Sequence, residues 1–296
     1  MKNVKLILIL LCAALSACSS DDEQEQNTDG RKLRQLTVAD VPVTRAILTE
    51  NGSGLGATWK KDDVATYFNV TAFNEGNTNH NGPMNYGPLT ASSSKETSTF
   101  TGTVYCEEGD DIALLYPAKT PDNTSGDDRG KFTISLDGQK GTLADIQENF
   151  HYVYGVAEVK SVTEGTATAN IDNMQSLLAV CKFTFKDADD ELIPVKTLTV
   201  KYTNTAGYPQ TATLTPTATT GTMAISAPTT DLTVNLDNET SDGVYVALFP
   251  NQGDYNGWPT GMSFTVTGSS GTYTGTATAR LNAGKYYPVE LKLSKQ

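Results

Sequence analysis

Apolar and polar positions alternate with a period of two along most of the chain. The alternating runs are rich in β-branched residues and are broken at short intervals by Gly, Asn, Asp and Pro. The pattern predicts strands over 64–70, 97–106, 111–116, 131–136, 152–159, 178–186, 192–202, 210–214, 222–226, 232–236, 244–249, 262–266, 272–280 and 285–293. No segment keeps a helical period beyond a turn or two, and 143–149 is the best short helix. Regular strands separated by turn signals predict an all-β fold built from β-sandwiches. The least apolar stretch that divides the strands evenly is 164–170 (EGTATAN), which sets two tandem domains, 36–170 and 171–296.

Composition agrees. The 296 residues include 43 threonines and 25 glycines, and only 19% are charged, which excludes an α-solenoid or a coiled coil. A formal charge of −12 repels phosphate backbones and anionic headgroups, so nucleic acid is not an expected partner. Two histidines in the whole chain argue against a His-based metal or acid–base centre.

The N-terminus carries Lys2 and Lys5, then an apolar run from Leu6 to Leu15. That run is too short to span a hydrocarbon layer of about 30 Å and reads as a signal-peptide core over residues 1–17. Leu15-Ser16-Ala17-Cys18 resembles a bacterial lipobox, which implies a lipid on the Cys18 thiol and a protein anchored to, not spanning, the outer membrane. Residues 19–30 (SSDDEQEQNTDG) hold no apolar side chain, so 18–35 is expected to be a flexible acidic tether. Of the remaining cysteines, Cys106 and Cys181 sit in apolar strand-like runs, and sequence leaves open whether they are bridged.

Chemistry is sparse. Asp110-Asp111, Asp127-Asp128 and Asp189-Asp190-Glu191 read as solvated turns, since adjacent strand residues point to opposite faces. The segment 122–128 resembles a calcium loop but has Thr and Gly where ligands belong and no closing Glu. Gly52-Ser53-Gly54-Leu55-Gly56 precedes no helix and reads as a loop, while His80 and His151 have no nucleophile motif nearby. No catalytic residue, metal or cofactor is expected, and an enzyme is not. Two polar loops, 74–94 and 251–261, present Tyr86, Tyr255 and Trp258, aromatics able to stack on a sugar ring or anchor a partner.

Several segments together resemble the fimbrillin family of Bacteroidetes pilus lipoproteins. They are the lipobox, Val43-Thr44-Arg45-Ala46-Ile47-Leu48-Thr49, Trp59-Lys60-Lys61-Asp62-Asp63 leading into 64–70, and Asp111-Ile112-Ala113-Leu114-Leu115-Tyr116-Pro117-Ala118. They continue with 176–185, Val244-Tyr245-Val246-Ala247-Leu248-Phe249-Pro250 and Ala283-Gly284-Lys285-Tyr286-Tyr287-Pro288-Val289. The resemblance implies two transthyretin-like β-sandwich domains and a fimbrial subunit that supports adhesion. It also implies cleavage between Arg45 and Ala46 by an arginine-specific protease, removal of the strand 36–45, and its replacement by a strand from a neighbouring subunit. Pro42 in that strand is tolerable only at an edge. Residues 285–293 are then either the donor strand or the last strand of the second sandwich. The alternative reading is a monomeric surface lipoprotein that binds glycan or host protein through Tyr86, Tyr255 and Trp258.

Overall fold

The structure is a computed structural model that describes residues 30–42, 47–51, 54–75, 86–122, 130–203, 205–251 and 261–296. Its first half contains β1 (Lys32–Pro42), the hairpin β2 (Ile47–Asn51) and β3 (Gly54–Thr58), then β4 (Val64–Asn69) and a single helical turn α1 (Val70–Asn74). Next come β5 (Tyr86–Ala91), β6 (Thr97–Cys106), β7 (Asp111–Tyr116), β8 (Phe132–Ser135), the short helix α2 (Leu143–Asp145), which runs on as a wider turn to Phe150, β9 (Val153–Val162) and β10 (Thr166–Ser176). Seven of these strands close into a barrel in the order β1, β10, β9, β7, β4, β5, β6. Closure removes the free sheet edges that an open sandwich would leave. The alternation read from the sequence is what fills it. Leu36, Val38, Leu89, Phe100, Ile112, Leu114, Val159, Ala167, Ala169 and Met174 turn inward and are buried. Trp59 plugs this interior, edge-on to Phe100 and Tyr116 at centroid distances of 4.9 and 5.2 Å.

The second half runs through β11 (Ala179–Lys186), β12 (Val195–Tyr202), β13 (Thr211–Thr215), β14 (Thr222–Ile225), β15 (Leu232–Thr240) and β16 (Val244–Leu248). It ends with β17 (Gly261–Gly268), β18 (Gly271–Thr278), β19 (Tyr286–Lys292) and β20 (Ser294–Lys295). Here β16, β11 and β19 form one sheet, and β15, β12, β17, β18 and β20 a second. Phe183 and Phe185 on β11 meet Phe264 on β17 at 5.2 and 6.3 Å, so the two sheets share a core. The last strands, β19 and β20, carry the chain from one sheet to the other. A third small sheet, β14-β13-β8, takes β8 from the first half, and one apolar cluster runs from Phe68, Leu115 and Phe132 to Phe183, Phe264 and Leu293. The halves are stitched together through a shared interior.

Several expectations change. Residue 170 lies inside β10, where Asn170 pairs with Glu158 and Ala39, and the chain passes to the second set of strands at Leu177-Leu178. The stretch 164–170 reads as a linker because its inward residues, Ala167 and Ala169, are small and its outward ones are Thr and Asn. The first unit is a closed barrel, not an open sandwich, because β1 bonds to strands on both sides. Within the loop expected over 74–94, residues 86–91 form a barrel strand with Leu89 and Ala91 buried. Gly54 and Gly56 belong to β3, the return arm of a hairpin. Residues 32–35, expected within the tether, belong to β1. Asp110 is no solvated turn residue: it is 2% exposed. Cys106 and Cys181 are free thiols in separate core clusters.

Candidate functional site at the barrel-closing strand

The segment singled out as removable, 36–45, shares residues 36–42 with β1, whose geometry defines the site. Along one side β1 runs antiparallel to β6, from Lys32 opposite Cys106 to Val38 opposite Phe100. Along the other it runs parallel to β10, from Gln35 opposite Thr166 to Ala39 opposite Asn170. Between Val38 and Val41 the register shifts in a bulge, with Asp40 at φ 49°, so that Val41 as well as Val38 turns inward. Pairing with β10 ends at Ala39, which leaves Pro42 with only β6 beside it. That explains how a proline ends a strand that is bonded on both sides over residues 35–39.

Polar fastenings hold both ends. Arg31 Nε and Nη2 donate to the two carboxylate oxygens of Asp110 at 2.8 and 2.7 Å, a bidentate pair whose side chains are 6% and 3% exposed. Asp110 also accepts from Asn69 Nδ2 at 2.8 Å and from the Glu107 backbone N–H at 3.0 Å, while Arg31 reaches Glu75 at 2.9 Å. Arg34 donates to the carbonyls of Thr163 and Cys106 and pairs with Glu107 at 3.2 Å. At the other end Trp59 Nε1 donates to the Val41 carbonyl at 3.0 Å. Burial pushes the Cys106 thiol beside Arg34 up to about 11, and the Cys181 thiol up to about 12, so neither is a ready nucleophile.

The hairpin that follows β1 docks on the second half. Glu50 on β2 accepts from Tyr286 Oη at 2.6 Å, Tyr245 Oη at 2.8 Å and Lys182 Nζ at 3.0 Å. The Tyr286 hydroxyl, then Lys182 and Tyr245, hold the carboxylate down at about 2 against the opposing pull of burial. Tyr286 begins β19, an edge strand parallel to β11. Val180 donates to the Lys285 carbonyl and Leu293 to the Lys186 carbonyl, so the ladder uses the odd-numbered residues of this stretch. The backbone of Tyr286, Pro288, Glu290 and Lys292 faces the open edge, and Pro288 removes a donor from it.

Of the residues picked from sequence, Cys18, Arg45, Ala46, Tyr255 and Trp258 lie outside the described residues, as does His80. Tyr86 is half-buried, opposite Phe68, and packs on the main core. His151 is 1% exposed at the start of the β9 run. Sequence reasoning missed Arg31, Arg34, Asp110 and Glu50. The only local signal was parity: Arg34 falls on the same face as Leu36 and Val38. Among the described residues no group of three His, Cys, Asp or Glu side chains is placed to hold a metal, and no helix is long and apolar enough to cross a membrane.

No family model matches the chain, and no curated protein matches it in sequence. Solved structures do match. A candidate cell adhesion protein of Bacteroides uniformis aligns over 91% of this chain and 95% of its own, with a TM-score of 0.55 at 16% identity. A second such protein, from Bacteroides eggerthii, aligns over 90% and 87% with a TM-score of 0.45 at 11% identity. The shaft pilin of Lactobacillus rhamnosus GG aligns over 90% and 98%, with a TM-score of 0.32 at 10% identity. The first of these likenesses is one of fold, along almost the whole length of both chains.

Proposed function

We propose that the chain is a structural subunit of a cell-surface fimbria that supports adhesion. It is exported as a lipoprotein precursor held in the outer membrane through Cys18 and assembles with other fimbrial subunits by strand exchange after cleavage between Arg45 and Ala46. The observation that carries this reading is the position of β1. It is the first described strand, it bonds along both sides, and its inward Leu36, Val38 and Val41 are completely buried. Its departure would open the barrel, exposing the backbone edges of β6 and β10 and an apolar slot between them. A strand from a neighbouring subunit satisfies both needs at once. The fold likeness to a candidate adhesion protein supports the same assignment. The geometry speaks for the acceptor side of the exchange; donation by 285–293 requires that stretch to leave β11, to which it is paired within the chain. The glycan- or host-protein-binding alternative rests on Tyr86, half-buried against the core, and on Tyr255 and Trp258.

Treating the purified lipidated precursor with an arginine-specific protease tests the proposal. The expected result is a new N-terminus at Ala46 and an SDS-resistant ladder of multimers. A protein that stays monomeric after confirmed cleavage, where a related pilin assembles, overturns it.

A further inference from the structure

If β1 leaves, the slot it vacates is apolar along most of its length and anionic at one end, and this deepens the strand-exchange reading on which it rests. At that end Asp110 keeps its bonds from Asn69 and the Glu107 amide but loses the two from Arg31. Glu107 and the carbonyls of Thr163 and Cys106 lose Arg34. Glu75 loses its ion pair as well. In the intact chain the Asp110 side chain is 3% exposed beneath Arg31, so an incoming strand that covers this carboxylate again without bringing a cation meets a strongly unfavourable arrangement. The remaining positions are filled only by apolar side chains, Leu36, Val38 and Val41.

We infer that the acceptor slot selects an incoming strand that carries a basic residue, arginine above all, ahead of its alternating apolar residues, in the Arg31–Arg34–Leu36–Val38 spacing of β1. The anionic end then sets the register. Alternation by itself does not, because a slip by two residues returns every apolar side chain to the inward face. The same slip carries the guanidinium away from Asp110. Arginine fits better than lysine because Asp110 is met by a two-pronged pair with both oxygens engaged. The chain's own last strand meets only part of this requirement. Aligned by its apolar residues, Lys285-x-Tyr287-x-Val289 matches Arg34-x-Leu36-x-Val38, but Asn282 then falls where Arg31 stands. The matching donor is therefore a strand that bears arginine at that place, in preference to the 285–293 stretch of a second copy of this chain.

The test uses the full chain with residues 43–46 replaced by the recognition sequence of a site-specific protease, so that cleavage does not depend on Arg45. After cutting, the retained β1 is competed out with labelled synthetic peptides, and their affinities are compared. The probes are residues 30–42, the same peptide with Arg31→Gln, and residues 279–293. The unmodified 30–42 peptide is expected to exchange in. Arg31→Gln is expected to weaken uptake by about tenfold or more, chiefly through faster release, and 279–293 to bind at least as weakly as that variant. On an Asp110→Asn acceptor the difference between the first two peptides should collapse, which assigns it to that carboxylate. Equal affinity of the three peptides for the wild-type acceptor overturns the inference and leaves strand addition standing. Failure of every peptide to enter a confirmed cleaved chain overturns the strand-exchange reading and this inference together.

Discussion

Strands β1 and β19 hold comparable posts, each running parallel to one neighbour and each completing its half of the molecule, yet they are fastened very differently. β1 is bonded along both sides, its inward side chains are fully buried, and its charge pair is out of water. β19 has β11 on one side only, and Tyr287, Val289 and Leu291 are half-buried. Its ion pairs stand in solvent: Lys186 with Glu290 at 2.9 Å and Lys292 with Asp190 at 2.7 Å. The contrast shows that a parallel pairing alone does not make a strand a keystone. β1 is one because removal costs two ladders, an apolar row and a desolvated charge pair together. β19 is a cover strip over one edge, protected from pairing by Pro288.

The charge pairs give the sharpest way to break this contrast. Asp110→Ala strands Arg31 without its two-pronged partner and should destabilise the chain by about 3 kcal/mol, read as a lower urea midpoint at unchanged slope. Asp190→Asn, which removes the charge of an exposed partner of Lys292 but keeps a side chain that tolerates the φ of 65° there, should leave the midpoint where it was. Similar losses would mean that β1 and β19 are held alike. The apolar rows come next: Leu36→Ala should cost about 2–5 kcal/mol by opening a cavity in the barrel. Leu291→Ala, already half in water, should cost about 1 kcal/mol. Amide exchange then sharpens the picture without a mutation. The β1 amides should exchange only on global unfolding and those of β19 earlier, through local fraying of an edge. Simultaneous exchange would erase the distinction.

The readable parts of the fold were those where period-two alternation uses bulky residues. β6 and β7 occupy the predicted 97–106 and 111–116, since Phe100, Val104, Ile112 and Leu114 mark the inward face unmistakably. β10 escaped because its inward row opens with Ala167 and Ala169. β5 escaped because Gly87 and Pro88 look like loop residues; Gly87 lies where an added Cβ would sit 2.8 Å from the Tyr67 ring. The site was half legible. Its apolar strand showed through alternation, but Asp110 did not, because the arginine that gives it meaning is 79 positions away and a doubled aspartate looks like any surface turn. Pairings of that separation follow from barrel closure, which no local pattern encodes.

The smallest effect expected is also the one that joins the two strands. Glu50, on the hairpin that follows β1, is clamped by Tyr286 at the start of β19, with Tyr245 and Lys182 beside it. Its carboxylate sits at about 2 in the folded chain against an ordinary 4.5. A carboxyl group held lower when folded stabilises the fold while it is ionised in both states. That contribution is complete above about 4.5 and drains away as the pH falls towards 2. Glu50→Gln keeps the shape and removes the titration, so the stability gap between wild type and variant should be widest near neutral pH and narrow steadily through that window. Thermal melts of both proteins from pH 6 down to pH 2.5 measure it. The gap should be modest, since the side chain is 33% exposed and its lysine partner also meets solvent. A gap independent of pH would mean that the hairpin is seated by packing alone, and that the segment following β1 has no electrostatic tie to β19.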